Sequence, residues 1–264
     1  MKIFSFALLI LLFSSCFNKP VETLKTTVLV KSEWGKFFQQ KEIEGTFVLI
    51  KLNSDTVKVF NSERAYQQYL PASTYKIFNS LISLETNVIE NENIIIKWDG
   101  KKRFYDKWNQ DQTMRTVMKY SSVWFYQELA RRVGREKMQY YVNTANYGNT
   151  KLGDSIDTFW LEGDLRISPI EQIDFLEKLL KYDLPFSKRN IETVKQLLII
   201  DSTDQYKYYG KTGWVAKIGW YVGFIILENE KWLFALNIDI NNNDDVKQRK
   251  LITEKILRSE RIIK

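Results

Sequence analysis

Hydrophobic and polar positions form strand-like patterns near both ends of the chain. Residues 44–60 contain two β-branched runs separated by a polar stretch at 53–55, which predicts a β-hairpin. Residues 218–227 and 232–240 are longer apolar runs on either side of a short polar turn, and they predict a second hairpin. Strands are therefore expected near the start and near the end of the chain.

Apolar residues recur at helical spacing through the middle of the chain, from about residue 105 to residue 200, and in segments on either side of it. The period is clearest in four segments: 73–89, 123–133, 170–180 and 244–263. Ser168 followed by Pro169 fits a helix N-cap and the first helical position. The apolar side of the last helix is predicted to comprise Val246, Leu251, Ile256 and Leu257.

Strands at both ends and helices between them predict one α+β unit. A mainly antiparallel sheet would be built from both chain ends, with a helical subdomain, roughly residues 85–200, from the middle. No internal repeat, low-complexity segment or Pro/Gly-rich linker interrupts residues 31–264. We therefore expect a single domain over this range.

The first residues have the pattern of an export signal. A lysine precedes an apolar run from residue 3 to residue 13, which is too short to span a bilayer. Two serines then precede Cys16, an arrangement that resembles the lipobox of bacterial lipoproteins. We predict a signal peptide over 1–15, lipidation of Cys16, a tether over 16–30 and a periplasm-facing, membrane-anchored domain. An ordinary signal peptide with an incidental cysteine is the alternative, and it would leave the domain soluble in the periplasm.

The amino-acid composition limits which catalytic groups and metal ligands this chain can supply. Histidine is absent from the 264 residues and cysteine occurs once. Ser-His-Asp and Cys-His nucleophiles, histidine-ligated metals and cysteine-cluster zinc sites are therefore excluded, so no metal is expected. A general base must be a lysine, a carboxylate or something less usual. The net charge of +7 is modest for this length and does not by itself indicate a nucleic-acid partner.

One serine has a lysine three residues further on, at the start of a predicted helix. Ser73 and Lys76, in the sequence Ser-Thr-Tyr-Lys, would share one helix face, near free N–H groups that favour developing negative charge. Chance supplies about 1.7 such pairs, so a capping serine and a solvent-facing lysine are the alternative for this motif alone. Two other triplets are rarer: Lys-Thr-Gly at 211–213 is expected about 0.07 times and Tyr-Gly-Asn at 147–149 about 0.035 times.

These motifs, with others between and after them, resemble the class D (oxacillinase-type) serine β-lactamases. The others are Ser121-Ser122-Val123, Trp160-Leu161-Glu162-Gly163, Trp214 after the Lys-Thr-Gly triplet, residues 219–223 and Arg249. The resemblance runs from about residue 31 to the C-terminus, and Tyr75 stands where the family more often has phenylalanine. It implies the serine β-lactamase/penicillin-binding fold and hydrolysis of the β-lactam ring of penicillin-type antibiotics, which confers antibiotic resistance.

The resemblance implies a role for each matching residue. Ser73 would form the acyl-enzyme, and Lys76, carboxylated by carbon dioxide, would be the general base. That reaction needs a neutral amine, which an apolar pocket would favour. Val123, Trp160 and Leu161 would supply the pocket, and the Trp160 N–H would hold the carbamate. No cofactor is implied beyond carbon dioxide or bicarbonate.

The C-terminal motifs complete the implied site. Ser121, assisted by Lys211, would pass a proton towards the β-lactam nitrogen. Substrate binding would fall to Thr212, Gly213, Trp214 and Arg249. Arg249 would hold the substrate carboxylate through two hydrogen bonds. The backbone N–H groups of Ser73 and Trp214 would form the oxyanion hole, and the Tyr-Gly-Asn triplet is interpreted as structural.

Two other functions stay open. A β-lactam sensor or penicillin-binding domain would acylate Ser73 without efficient turnover, and a non-catalytic lipoprotein would bind cell-envelope material. Without the resemblance, Arg249 on the terminal helix would be interpreted as a surface charge. The expected partner is a small-molecule β-lactam, with membrane contact only through a lipid anchor at Cys16. The protein is expected to be a monomer or a homodimer.

Overall fold

The computed structural model describes residues 27–263. Within them the strands are β1 (Thr27–Val30), β2 (Gly45–Lys51), β3 (Thr56–Phe60), β4 (Ile199–Ser202), β5 (Tyr206–Val215), β6 (Ile218–Leu227) and β7 (Lys231–Asp239). The α-helices are α1 (Gly35–Gln39), α2 (Ser62–Tyr66), α3 (Lys76–Glu85), α4 (Met114–Tyr120), α5 (Val123–Val133), α6 (Arg135–Thr144), α7 (Pro169–Lys181), α8 (Lys188–Leu197) and α9 (Asp245–Ser259). Short 3₁₀ turns lie at Ser32–Trp34, Ala72–Tyr75 and Asp106–Trp108.

The described strands form one sheet, in the order β1-β3-β2-β7-β6-β5-β4. β1 and β3 are parallel, and the other neighbouring pairs are antiparallel. The two predicted hairpins are confirmed as β2–β3 and β6–β7. They join through β2 and β7, where Gly45 lies opposite Ile238 and Lys51 opposite Trp232. The predicted α+β fold, with a mainly antiparallel sheet from both chain ends, is therefore confirmed.

The described chain begins inside the segment predicted to be a tether. Residues Thr27–Val30 form β1, and the three β-branched side chains among the four suit an edge strand beside β3. The sheet therefore starts before the predicted domain boundary at residue 31, and the end of the predicted 16–30 tether is a strand. The predicted signal peptide, Cys16 and the rest of the tether lie outside the described residues.

Buried apolar side chains form two clusters. The larger one joins the central helices to the sheet, and the smaller one joins α1 and α9 to it. In α9, Ile252 and Ile256 are buried, four residues apart on one helix face. Leu251 is 42% exposed, so its predicted place on the apolar side is wrong, because it lies about 100° around the helix from Ile252. None of the helices within 27–263 has the length and apolar character needed to cross a bilayer.

Two helix starts differ in how well the sequence predicts them. Ser168 caps α7 through a reciprocal capping box, with Pro169 in the first turn, as predicted. The helix predicted from Ser73 begins later, because Ala72–Tyr75 forms a 3₁₀ turn before α3 starts at Lys76. Ser73 therefore lies on a tight turn and not on the α-helix itself.

Candidate active site

The Ser73 hydroxyl is held by the 3₁₀ turn in front of α3. Ala72 has a left-handed backbone with φ of 50°, and its N–H donates to the Trp160 carbonyl at 2.9 Å. An alanine adopts this conformation only where surrounding structure holds it. The turn leaves Ser73 7% exposed and brings its Oγ within 2.9 Å of the Lys76 Nζ. The structure thus brings the predicted serine and lysine into contact.

Lys76 is fully buried, so the alternative of a solvent-facing lysine is wrong. Among the described residues, the Ser73 Oγ is the one hydrogen-bond partner of its Nζ, and the Tyr126 ring lies 5.3 Å from it. Burial lowers the pKa of Lys76 to about 7, because the ammonium form loses its hydration. A neutral amine is therefore well populated at neutral pH, beside the Ser73 hydroxyl.

The Trp160 indole packs against the residues that carry this pair. It is fully buried, and its ring stacks on Tyr75 with 5.5 Å between centroids. Its Nε1 has no hydrogen-bond partner among the described residues, although buried donors are normally paired. A carboxylate group on Lys76 would give this donor an acceptor. The residues present therefore fit the carbamate that the family resemblance implies.

Ser121 and Lys211 come together from different elements. Ser121 ends α4 in a left-handed conformation with φ of 56°. Lys211, on β5, donates from Nζ to the Ser121 Oγ at 3.0 Å and to the Thr212 carbonyl at 2.8 Å. Burial holds the pKa of Lys211 well below its usual value, and nearby cations that include Lys76 and Arg249 add to this effect. An amine in this state can pass a proton through the Ser121 hydroxyl.

β5 runs directly beside the turn that carries the serine. A Cβ on Gly213 would lie 3.2 Å from the Pro71 carbonyl oxygen, so the missing side chain permits this approach. The next residue, Trp214, is paired with Gly219 of β6, and its side chain is 46% exposed. The backbone of Trp214 is therefore fixed by the sheet, next to the residue that approaches the serine turn, and the oxyanion hole stays a prediction.

Arg249 reaches the site from α9, and its interpretation as a surface charge is wrong. The side chain is buried, its Nη1 donates to the Gly213 carbonyl at 2.5 Å, and its Nε donates to the Val246 carbonyl at 2.7 Å. A Cβ on Gly219 would lie 3.1 Å from the Arg249 Cδ. Burial lowers the pKa of Arg249 to about 10, so the guanidinium remains charged at neutral pH.

A cavity of about 550 Å³, which we call the catalytic cleft, joins these groups. It is lined by Ser73, Arg103, Phe104, Trp108, Ser121, Val123, Trp124, Gln127, Leu161, Thr212, Trp214 and Arg249. The cleft places the predicted nucleophile, the predicted carboxylate-binding residues and two of the predicted pocket residues around one space. Within residues 27–263, no three or more Cys, Asp or Glu side chains are grouped as metal ligands would be.

One wall of the catalytic cleft is absent from the sequence prediction. It comes from the loop over residues 103–108 and from Trp124. Phe104 is 91% exposed and packs edge-on against Trp108 at 5.3 Å, and Arg103 lies over the Trp124 ring at 5.4 Å. The helical pattern predicted from about residue 105 does not give an α-helix here, because residues 103–108 form a loop with a 3₁₀ turn at Asp106–Trp108. Its exposed aromatic and basic side chains are the signal that could have marked it as a binding wall.

The Tyr-Gly-Asn triplet has structural contacts, which supports its interpretation as structural. Tyr147 is buried, and the Asn149 Oδ1 accepts from the Arg166 N–H at 2.9 Å. Gly148 has φ of 55°, and a Cβ there would lie 2.0 Å from the Arg166 carbonyl oxygen. Only glycine fits this position. The triplet joins two loops and does not line the catalytic cleft.

Residues 39–258 match the family described as penicillin binding protein transpeptidase domain. The fold and the site described above are those of this class of protein. The chain is 41% identical over 237 residues to the β-lactamase OXA-5 of Pseudomonas aeruginosa, covering 87% of this chain and 89% of that protein. It is 40% identical over 234 residues to the β-lactamase OXA-48 of Klebsiella pneumoniae, covering 87% and 88%. The class D β-lactamase FUS-1 (OXA-85) of Fusobacterium nucleatum subsp. polymorphum matches with a TM-score of 0.86 at 38% identity, covering 89% of this chain and 99% of that chain. The chain belongs to the class D β-lactamase family, which confirms the predicted family and enzyme class.

Proposed function

We propose that this protein hydrolyses the β-lactam ring of penicillin-type antibiotics through an acyl-enzyme on Ser73 and so confers resistance to them. The observation that carries the proposal is the buried contact of 2.9 Å between the Lys76 Nζ and the Ser73 Oγ. The pKa of about 7 for Lys76 makes the amine available as a base, or for reaction with carbon dioxide, near neutral pH. The relatives described above are named β-lactamases, which supports the same chemistry here.

Acylation of Ser73 is the first half-reaction. The Ser73 Oγ forms an ester bond with the β-lactam carbonyl carbon, and the bond from that carbon to the ring nitrogen breaks. The base at Lys76 takes the Ser73 proton, and Ser121 gives a proton to the ring nitrogen and regains one from Lys211, 3.0 Å away. The backbone N–H groups of Ser73 and Trp214 stabilise the negative charge on the carbonyl oxygen.

Hydrolysis of the Ser73 ester is the second half-reaction. Water attacks the ester carbonyl, the bond to the Ser73 Oγ breaks, and the hydroxyl is restored with release of the opened acid. A carboxylate on Lys76, formed with carbon dioxide, would supply the base that takes a proton from this water. The Trp160 Nε1 would hold that carboxylate by a hydrogen bond. Val123 and Leu161 line the catalytic cleft with apolar side chains, and the full burial of Lys76 limits hydration of its amine.

The substrate carboxylate binds at Thr212 and Arg249. Both side chains line the catalytic cleft. Arg249 uses Nη1 for the Gly213 carbonyl and Nε for the Val246 carbonyl, so its remaining N–H groups are available to a carboxylate. The buried guanidinium is also held in one orientation by these two bonds, which favours a substrate with a fixed carboxylate.

Turnover of a chromogenic cephalosporin by the purified domain tests the proposal. We expect steady hydrolysis that bicarbonate stimulates, and a covalent adduct on Ser73 in quenched samples analysed by mass spectrometry. Ser73→Ala should abolish both signals, whereas Ser155→Ala, an exposed serine outside the cleft, should change neither. Stoichiometric acylation without turnover would favour the sensor or penicillin-binding alternative. Hydrolysis that persists in Ser73→Ala would overturn the proposal.

We also propose that the protein is exported and attached to the periplasmic face of a membrane through a lipid on Cys16. The apolar run that ends in Ser-Ser-Cys supports this localisation. Metabolic labelling with an alkynyl fatty acid should label the wild-type chain and not Cys16→Ser. A wild-type chain that is recovered without label in the soluble periplasmic fraction would contradict the lipid anchor.

A further inference from the structure

A second cavity, of about 500 Å³, lies beside the catalytic cleft, and of the residues given a role in the proposed reaction it is lined by Lys211 and Thr212. Four basic side chains line it: Arg115 and Lys119 from α4, Lys211 from β5 and Lys250 from α9. No carboxylate among the described residues lines it. We call it the basic cavity.

The basic cavity and the catalytic cleft share one wall. Thr212 lines both, and Lys211 lines the basic cavity while its Nζ contacts the Ser121 Oγ. Ser73 and Arg249 line the cleft alone. A ligand in the basic cavity would therefore be next to the proton-transfer pair without occupying the position of the β-lactam ring.

A buried tyrosine also lines this cavity. Tyr221 is fully buried, and its ring packs at an angle against Tyr208 with 6.2 Å between centroids. A Cβ on Gly210 would lie 2.8 Å from the Tyr221 Oη, so glycine makes room for the hydroxyl here. The Lys250 Nζ lies 6.0 Å from the centre of the Tyr221 ring. The Lys250 ammonium group therefore lies beside the tyrosine wall of the basic cavity.

The positive charge of the basic cavity is only partly compensated. Arg115 pairs with Glu92 at 2.9 Å. Lys119 and Lys250 form no ion pair with any described side chain. Cations concentrated in a cavity without a facing carboxylate attract an anion, and the attraction is stronger in a partly enclosed space than in open solvent.

We propose that the basic cavity binds an oxyanion, contacted by Lys119 and Lys250. The oxyanion is either a free ion, for which inorganic phosphate is the probe, or a second carboxylate carried by a β-lactam substrate. Its negative charge offsets the repulsion among the lining cations and so favours the protonated form of Lys211. The site is independent of the proposed ring hydrolysis, and only its second source of ligand rests on that function.

Phosphate titration at constant ionic strength, followed by calorimetry, tests the site directly. One titration uses free enzyme and needs no catalysis, and a second uses enzyme acylated by a slowly hydrolysed β-lactam. We expect binding in both, weakened at least tenfold in the double variant Lys119→Gln with Lys250→Gln. Lys255→Gln, which removes an exposed charge of α9 outside the cavity, should bind as the wild type does. Binding that is lost on acylation, or equal in all variants, would overturn the proposal.

Kinetics distinguish the two sources of the oxyanion. Two β-lactams that differ only in a second carboxylate are compared with wild-type enzyme and the double variant. A rise of at least fivefold in KM for the dianionic substrate alone, with kcat unchanged, assigns the site to the substrate. Unchanged KM values together with phosphate binding assign it to a free oxyanion. No phosphate binding and no difference in KM would refute the site, whether or not the enzyme hydrolyses β-lactams.

Discussion

Replacing Lys76 by methionine is expected to stabilise the fold while it abolishes turnover. The lysine side chain is fully buried, and methionine is an unbranched apolar side chain that fits the same space without a charge. Burial lowers the pKa of Lys76 from 10.5 to about 7. Each pKa unit corresponds to about 1.4 kcal/mol, so protonation of the buried amine costs the folded state about 5 kcal/mol.

The destabilisation of the folded state by the buried Lys76 amine decreases as pH rises. The unfolded chain protonates Lys76 below pH 10.5, whereas the folded chain does so only below about 7. The unfolded state therefore binds more protons between these values, and wild-type stability rises with pH across that interval. The full cost applies below about pH 7. Loss of the hydrogen bond to the Ser73 Oγ offsets about 1 kcal/mol, which leaves a net gain of about 4 kcal/mol for Lys76→Met at pH 6.

Thermal unfolding followed by circular dichroism at pH 6, 8 and 10 measures this effect. For a chain of this size 1 kcal/mol corresponds to about 2–4 °C, so Tm should rise by about 8–16 °C at pH 6 and by little at pH 10. Lys255→Met, on the exposed face of α9, is the matched control and should leave Tm nearly unchanged. A Lys76→Met variant less stable than wild type at pH 6, or a gain that does not shrink as pH rises, would refute the reasoning.

Three other substitutions test separate parts of the site. Trp160→Phe keeps an aromatic side chain and removes the unpaired Nε1 donor, so half-maximal activity should need at least tenfold more bicarbonate. An unchanged bicarbonate requirement would contradict the role of this donor. Arg249→Ala removes a buried cation from the cleft and should lower kcat/KM for penicillins by roughly 30- to 100-fold, or about 2–3 kcal/mol, mainly through KM. An equal loss for an analogue without the carboxylate would argue for a structural effect. Gly148→Ala should lower the free energy of unfolding by at least about 2 kcal/mol, because its Cβ would meet the Arg166 carbonyl oxygen; unchanged urea unfolding would contradict this.

Local patterns predict the parts of this molecule that depend on neighbours in sequence. The β2–β3 and β6–β7 hairpins and the capped start of α7 follow from residues a few positions apart. The contact between Ser73 and Lys76 is of the same kind, because a turn and one helical residue bring the two side chains together. In each case the determinants lie within one or two elements.

Contacts between distant elements could not be obtained from spacing alone. The position of Arg249 depends on how α9 packs on the sheet, and family resemblance was needed to predict it. The cleft wall at 103–108 lies in a loop that is held by the contacts of Phe104 with Trp108 and of Arg103 with Trp124. The exposed position of Leu251 was also not predictable from spacing, since an apolar residue at the edge of a helix face can remain exposed.

Because β2 pairs with β7, the sheet of this enzyme can form only when both the early and the late parts of the chain are present. β2 precedes Ser73, whereas β7 follows the strand that carries Lys211, and the two are adjacent in the middle of the sheet. A chain that stops before Lys231 leaves both β2 and β6 with open edges, which are prone to pair with other chains. Such distant pairing also makes folding slow, because the intervening loop must close first. Truncated products are therefore expected to aggregate or be degraded, so that premature stop codons late in the coding sequence abolish resistance as completely as early ones.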